Sequence, residues 1–402
     1  MSNQLDVDAI RACFPALDDG TAYFDGPGGS QTPTAVADAV RDAMLHPLAN
    51  RGHTTVAARN AEEIVVQCRR ALADLLNADP DEVIFGRSMT ALTFDLSRTL
   101  STRWRPGDEV VVTRLDHDAN VRPWVIAAGN AGAVIRWVDF DPETSELDVR
   151  SVEAQLSERT RLVAVTAASN LIGTMPDVRA IATLVHSAGA LLYVDGVHYT
   201  AHGTVDFRDL GADFFACSPY KFLGPHCGVV AGRREVLAEL RPDKLLPSPD
   251  AVPERFEHGT LPYELMAGTT AAVDFLAGMT AATGTRRDRL VAVMSALAQH
   301  EDTLRTRIEA GLQQLSSVTV HSRAARRTPT LLLTFAGRDA GDVSAALAEH
   351  DINAPAGSFY AYEASRVLGL GATGGVRIGL APYNNASDVD RLLGVLANQC
   401  GA

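Results

Sequence analysis

From about residue 80 onward, short apolar runs rich in β-branched residues alternate with stretches of helical spacing, and no other feature limits the fold so strongly. Val83-Ile-Phe85, Glu109-Val-Val-Val-Thr113, Ala133-Val-Ile-Arg-Trp-Val138 and Leu162-Val-Ala-Val-Thr166 read as strands. Leu191-Leu-Tyr-Val-Asp195, Phe214-Phe-Ala-Cys217 and Gly228-Val-Val-Ala-Gly232 continue the series. Helical patterns fall between many of them, at 90–100, 121–129, 149–156 and 178–188. Runs that are apolar throughout need cover on both faces, and parallel neighbours need a helix-length crossover. The expected class is α/β, a largely parallel sheet with helices on both sides.

The pattern changes near residue 285. A long helical stretch over about 285–315 leads to Thr330-Leu-Leu-Leu-Thr-Phe335 and Gly375-Val-Arg-Ile-Gly379, which read as strands, with helices over 340–349 and 386–399. A small C-terminal α+β domain over 285–402 is therefore expected beside a large domain over 21–284, with residues 1–20 docking on the small one. The 402 residues can bury two such cores.

Composition narrows the partners. The net charge of −13 is spread without an acidic block or a Lys/Arg-rich run, which argues against nucleic acid or an anionic membrane as a partner. The N-terminus has no secretory pattern, and no apolar stretch is long enough to span a bilayer. Five scattered cysteines show no zinc-ligand spacing, so free thiols in a reducing cytoplasm and no metal are expected.

Two residues at strand ends carry the chemistry. Asp195 closes one apolar strand, and Lys221 follows the next, in Asp213-Phe-Phe-Ala-Cys-Ser-Pro-Tyr-Lys-Phe-Leu-Gly-Pro-His226. Both belong near the carboxyl end of the sheet, where open α/β folds place their ligands. A lysine for a Schiff base and a carboxylate beside a pyridine nitrogen are the pair that pyridoxal 5′-phosphate requires. Taken singly, each has a plainer reading, as a surface lysine in a turn and as a helix cap.

The surrounding motifs decide between them. They include Asp195-Gly-Val-His198, Arg114-Leu-Asp-His117-Asp-Ala-Asn-Val-Arg-Pro-Trp124 and Gly86-Arg-Ser-Met-Thr90. Ala168-Ser-Asn-Leu-Ile-Gly-Thr174, Phe256-Glu-His-Gly-Thr260 and Gly375-Val-Arg-Ile-Gly-Leu-Ala-Pro-Tyr-Asn384 complete the set. Taken in chain order, from Tyr23 to Asn384, they resemble the class V aminotransferase family, and within it the group II cysteine desulfurases.

The resemblance implies fold type I of the pyridoxal-phosphate enzymes, with a mostly parallel seven-stranded sheet, and a homodimer with shared active sites. It makes Lys221 the cofactor-bearing lysine, Asp195 the partner of the ring nitrogen and His117 the residue stacked on the ring. His198 would bond the phenolic oxygen. Ser88, Met89, Thr90, Ser218 and Tyr220 would hold the phosphate, with Thr260 reaching the phosphate of the neighbouring subunit. Tyr220 stands where the family usually has histidine, and its hydroxyl can still donate to phosphate. Asn170 would sit near the cofactor oxygen and the substrate carboxylate, and Arg377 would grip that carboxylate, a task suited to a guanidinium.

The departure concerns sulfur. Desulfurases carry a cysteine on a mobile loop, and the matching segment here, Ile352-Asn-Ala-Pro-Ala-Gly-Ser-Phe-Tyr-Ala361, has none. The expected activity is a desulfurase-like lyase acting on a small amino acid without a persulfide-bearing cysteine, with class V aminotransferase or amino-acid epimerase as the alternative. Gly28, Tyr360 and Tyr362 are expected in the pocket wall.

Overall fold

A computed structural model describes residues 5–400 of the chain. A short strand β1 (Ala22–Tyr23) precedes β2 (Val83–Gly86), β3 (Glu109–Thr113), β4 (Val134–Val138), β5 (Thr160–Thr166), β6 (Leu191–Asp195), β7 (Phe214–Cys217) and β8 (Gly228–Gly232). Strands β2 to β8 form a 7-stranded sheet in the order β2-β8-β7-β6-β5-β3-β4. All neighbours run parallel except at β8, which is antiparallel to both β2 and β7. Every residue of β3, β7 and β8 is buried, as a sheet covered on both faces demands.

Register levels the strand ends. Thr166 pairs with Asp195, and Asp195 with Ala216, so the connections leaving β5, β6 and β7 open onto one crevice. The helix expected over 149–156 stops at Glu153, where the ladder tightens: the N–H groups of Gln155 and Leu156 reach back three residues, to Val152 and Glu153, in place of four.

Farther along the chain come β9 (Val318–Val320), β10 (Thr330–Phe335), β11 (Ile352–Asn353), β12 (Ala356–Gly357) and β13 (Gly375–Gly379). Four of them make an antiparallel sheet in the order β12-β13-β10-β9, while β11 pairs in parallel with β1. The helices Ala340–Ala348 and Ala386–Cys400 supply Val343, Leu347, Val389, Leu392 and Leu396 to the core against this sheet. The helix Arg286–Leu312 joins two cores, burying Leu290, Val293 and Leu297 in the first and Leu304, Ile308 and Leu312 in the second. Near the N-terminus, Arg11 forms an ion pair with Asp388, and Phe14 packs edge-on against Phe275 and Tyr383. Among the described residues, no helix is long and apolar enough to cross a membrane.

Candidate functional site

A cavity of about 610 Å³ lies at the carboxyl ends of β5, β6 and β7. Met89, Thr90, His117, Asn170, Asp195, His198, Ser218, Tyr220, Lys221 and Arg377 all line it. Ten residues singled out in the sequence thus meet in one place, although they come from distant segments of the chain.

Lys221 ends the short turn Pro219–Lys221 that follows β7, and its Nζ donates to the carbonyl of Pro27. Enclosure pushes its pKa down to about 7, and the neighbouring charge of Arg377 adds to the effect. Near neutral pH a lysine so placed is uncharged for a substantial part of the time, roughly half at pH 7, and so supplies the free amine that attack on a carbonyl requires. Asp195 is 4% exposed, and its Oδ1 accepts from the backbone N–H of Val197 at 2.9 Å. Burial pushes its pKa up to about 6 against the opposing pull of that bond and of Lys221. A carboxylate held in such a dry position gains most from a cationic N–H partner, which a protonated pyridine would supply.

His117 enters from the connection after β3. Its Nδ1 accepts from the N–H of Ala119 at 3.0 Å, which leaves the proton of the neutral ring on Nε2. Burial lowers its pKa to about 4, so the ring stays neutral. It faces Tyr360 at 5.6 Å between centroids with a 32° tilt.

One end of the cavity is formed by the start of the helix Met89–Ser101, where the first backbone N–H groups have no intrahelical acceptor and so could hold an anion. Met89 and Thr90 line the cavity there. Ser88 is not in the wall; its Oγ accepts from the N–H of Ala91 at 3.1 Å and caps the helix, a bond that uses the oxygen and not its O–H. Gly228 lets this helix start approach β8, since a Cβ there would stand 2.1 Å from the nitrogen of Met89.

Arg377 lies in β13 and is 2% exposed. Its Nη2 is 2.6 Å from Oδ1 of Asp25, its Nη1 donates to the carbonyl of Asn170 at 3.1 Å, and its Nε has no partner. Bidentate capture of a carboxylate, expected from the sequence, would therefore require Asp25 to give way. The side chain of Asn170 donates to the carbonyl of Phe359 at 2.9 Å, leaving its buried Oδ1 without a partner. Phe359 and Tyr360 both adopt left-handed backbone conformations, with φ of 51° and 58°. The carbonyl of Tyr360 accepts from the N–H of Asp118 at 2.8 Å, which fastens this loop across the cavity.

The remaining candidates differ in their surroundings. His198 lines the cavity, but its Nε2 already faces the hydroxyls of Thr328 and Thr330 at 2.9 and 3.0 Å, and its Nδ1 is buried without a partner. Tyr220 stacks on His226 at 4.7 Å, an arrangement not foreseen. Thr260 is exposed and lies outside the cavity of its own chain. Tyr362 also lies outside it and carries the guanidinium of Arg366 over its ring, whereas Gly28 and Tyr360 are in the wall.

Residues without a foreseen role include Asp25, Pro27 and Phe359 in the wall, and Asp116 outside it. Burial pushes the carboxyl of Asp116, near Asp195, up to about 8, and it accepts from Nδ2 of Asn120 at 2.7 Å. The turn Asp25-Gly-Pro-Gly-Gly29 was the one available signal, since such a turn marks a close backbone approach. Among the described residues lining the cavity there is no cysteine. Cys68, Cys217 and Cys227 are buried, and burial pushes the thiol of Cys227 up to about 12.

A nucleophilic lysine, a buried carboxylate, a flat neutral imidazole and a helix start suit one group, pyridoxal phosphate, and two further residues of the same wall, Asn170 and Arg377, each keep a buried polar atom without a partner. Fold and cavity together define an enzyme of the type that holds this cofactor on a lysine. The sequence profile described as "Aminotransferase class-V" matches residues 22–392, and the chain belongs to that family. It is 32% identical to the aminotransferase-like protein FGM3 of Gibberella zeae over 405 residues, covering 98% of each chain. It is 29% identical to a cysteine desulfurase of Dickeya dadantii, covering 96% of this chain and 95% of that one. The crystal structure of the cysteine desulfurase CsdA (S-sulfonic acid) from Escherichia coli superposes with a TM-score of 0.87 at 27% identity, covering 98% of both chains.

Proposed function

We propose that this pyridoxal-phosphate-dependent enzyme acts at the α-carbon of a small amino acid as a desulfurase-like lyase, releasing a side-chain substituent without a protein-borne persulfide. The observation carrying this reading is a cavity that combines Lys221, Asp195 and Arg377 with no thiol in its wall. When bound, the cofactor supplies an electron-accepting ring conjugated to the substrate's α-carbon. The roles of the residues follow from their environments. Lys221, uncharged above about pH 7, holds the cofactor and then takes the α-proton at Nζ. Asp195 keeps a proton on the ring nitrogen. His117 covers one ring face, and the N–H groups of Met89 and Thr90, together with Ser218 and Tyr220, hold the phosphate. Arg377 and Asn170 orient the substrate, and the loop carrying Phe359 and Tyr360 excludes water.

The same reading takes the chain as a homodimer. Thr260 is exposed on a loop outside its own cavity, the location needed to serve the phosphate of a partner. It also divides the chain into a large unit over 21–284 and a small one over 285–402, bridged by the helix Arg286–Leu312. The deciding experiment incubates the cofactor-loaded enzyme with a panel of amino acids and follows pyruvate, ammonia, sulfide and deuterium at the α-carbon. Pyruvate with ammonia supports elimination. Keto acid formed without free ammonia would turn the assignment to transamination, and deuterium exchange with racemisation alone would turn it to epimerisation.

A further inference from the structure

A guanidinium withdrawn from water as far as that of Arg377, 2% exposed, needs a counter-charge whether or not substrate is present. Asp25 supplies it, through the 2.6 Å contact between Oδ1 and Nη2. The substrate's carboxylate, on the reading of Arg377 given above, must come to the same guanidinium. Nη2 belongs to both two-pronged edges of the guanidinium and Nη1 already donates to Asn170, so with Asp25 on Nη2 only Nε is left, and a second carboxylate there would be repelled by the first. One face of the guanidinium is covered by Phe359, at 3.7 Å.

Asp25 has somewhere to go. Its side chain is 29% exposed, so it can return to water in a way the guanidinium cannot. It also borders a second cavity of about 250 Å³, walled by polar groups that include Gln31, His226 and Asn353. Gly28 keeps the space around its carboxylate open, because a Cβ at that position would stand 2.2 Å from Oδ2. We propose that Asp25 is an internal stand-in for the substrate's carboxylate, holding Arg377 in the resting site and turning toward the second cavity when an amino acid binds. Asp25 is thus a positioning residue that acts through Arg377. The inference rests on the proposed role of Arg377 in carboxylate binding.

Exchange of one carboxylate for another has a measurable signature. The substrate's carboxylate replaces an existing ion pair, so it adds little to affinity. In the cofactor-loaded wild type, followed by the absorbance of the lysine-linked cofactor, alanine should bind less than roughly tenfold more tightly than alaninamide. Asp25→Asn keeps an acceptor for the guanidinium but removes the competing charge. In that variant alanine should tighten by roughly tenfold or more, the scale of one charge-assisted contact, while alaninamide changes by less than roughly threefold. Equal tightening of both ligands, or weaker binding of alanine, overturns the proposal. Should the variant fold poorly, the wild-type comparison decides: a preference for alanine of roughly a hundredfold or more shows that no stand-in is being displaced. A wild type in which no amino acid perturbs the cofactor band overturns the reading of the site itself, and the stand-in with it.

Discussion

The guanidinium carbon of Arg377 lies 3.7 Å from the ring centroid of Phe359, so the loop that closes the cavity also clamps its principal cation. The contact has a cost to match, because Phe359 and Tyr360 both sit in a backbone region that bulky residues rarely adopt. Phe359→Ala should weaken amino-acid binding by roughly 3- to 30-fold through loss of the cation–π contact, with cofactor retained. Absorbance titrations measure both. An unaltered affinity would reduce the ring to mere cover.

Arg377→Ala should weaken amino-acid binding by roughly 10²-fold while the cofactor band persists. The loss should be smaller when Asp25→Asn is added, since the single variant leaves an unpaired carboxylate in the substrate's path. Equal losses in the single and double variants would separate the two residues. A double-mutant cycle on ligand affinity makes the comparison.

The depressed pKa of Lys221 gives a pH dependence with a definite sign. Only the uncharged amine attacks an aldehyde, and its fraction grows as pH rises through about 7. Reconstitution of the apoenzyme with pyridoxal phosphate should therefore accelerate up to about pH 8 and then level off. A rate still climbing toward pH 10 would indicate an ordinary lysine. Lys221→Ala should abolish the lysine-linked band and turnover.

Asp195→Asn should retain part of the cofactor yet lower turnover by roughly 10²-fold or more, because an amide cannot hold a proton on the ring nitrogen as a carboxylate does. Steady-state rates beside cofactor content test this. Near-normal turnover would remove Asp195 from that role.

Alkylation of the native enzyme should leave turnover intact. Cys68, Cys217 and Cys227 are buried, and burial raises the pKa of each thiol, the opposite of what a nucleophile needs. Among the described thiols Cys13 is the half-buried one, in the turn after the helix Val7–Arg11 and far along the chain from the Lys221 motif, with its Sγ against the carbonyl of Ala9. Persulfide on any of these cysteines after exposure to cysteine, detected by mass spectrometry, would restore the desulfurase route.

Much of this architecture could be read from local pattern. Strand ends at Asp195 and Cys217 are marked by where the apolar runs stop, and register alone then brings Asp195 and the Lys221 turn to one crevice. The direction of β8 was also implicit, since the connection from Ser218 to Cys227 is too short for a parallel crossover. Pairings across the chain were not readable. Asp25 and Arg377, or Asn170 and Phe359, meet only after both sheets have formed, and no periodicity announces such a contact. The helix cap made by Ser88 was not readable for a related reason: a hydroxyl just before a helix can cap it, face a ligand or do both, and the sequence does not distinguish these.

The pairing of Gly86 with Gly228 acts as a ruler. The chain that leaves Lys221 returns through β8 directly beneath the helix start at Met89, so the span from the amine to that helix start is measured in strand spacings rather than in loop lengths. Loops around the cavity can then be exchanged, lengthened or stripped of a thiol without moving the two fixed points against each other. A side chain at position 228, driven into Met89, would shift one of those points and detune every reaction this site could host.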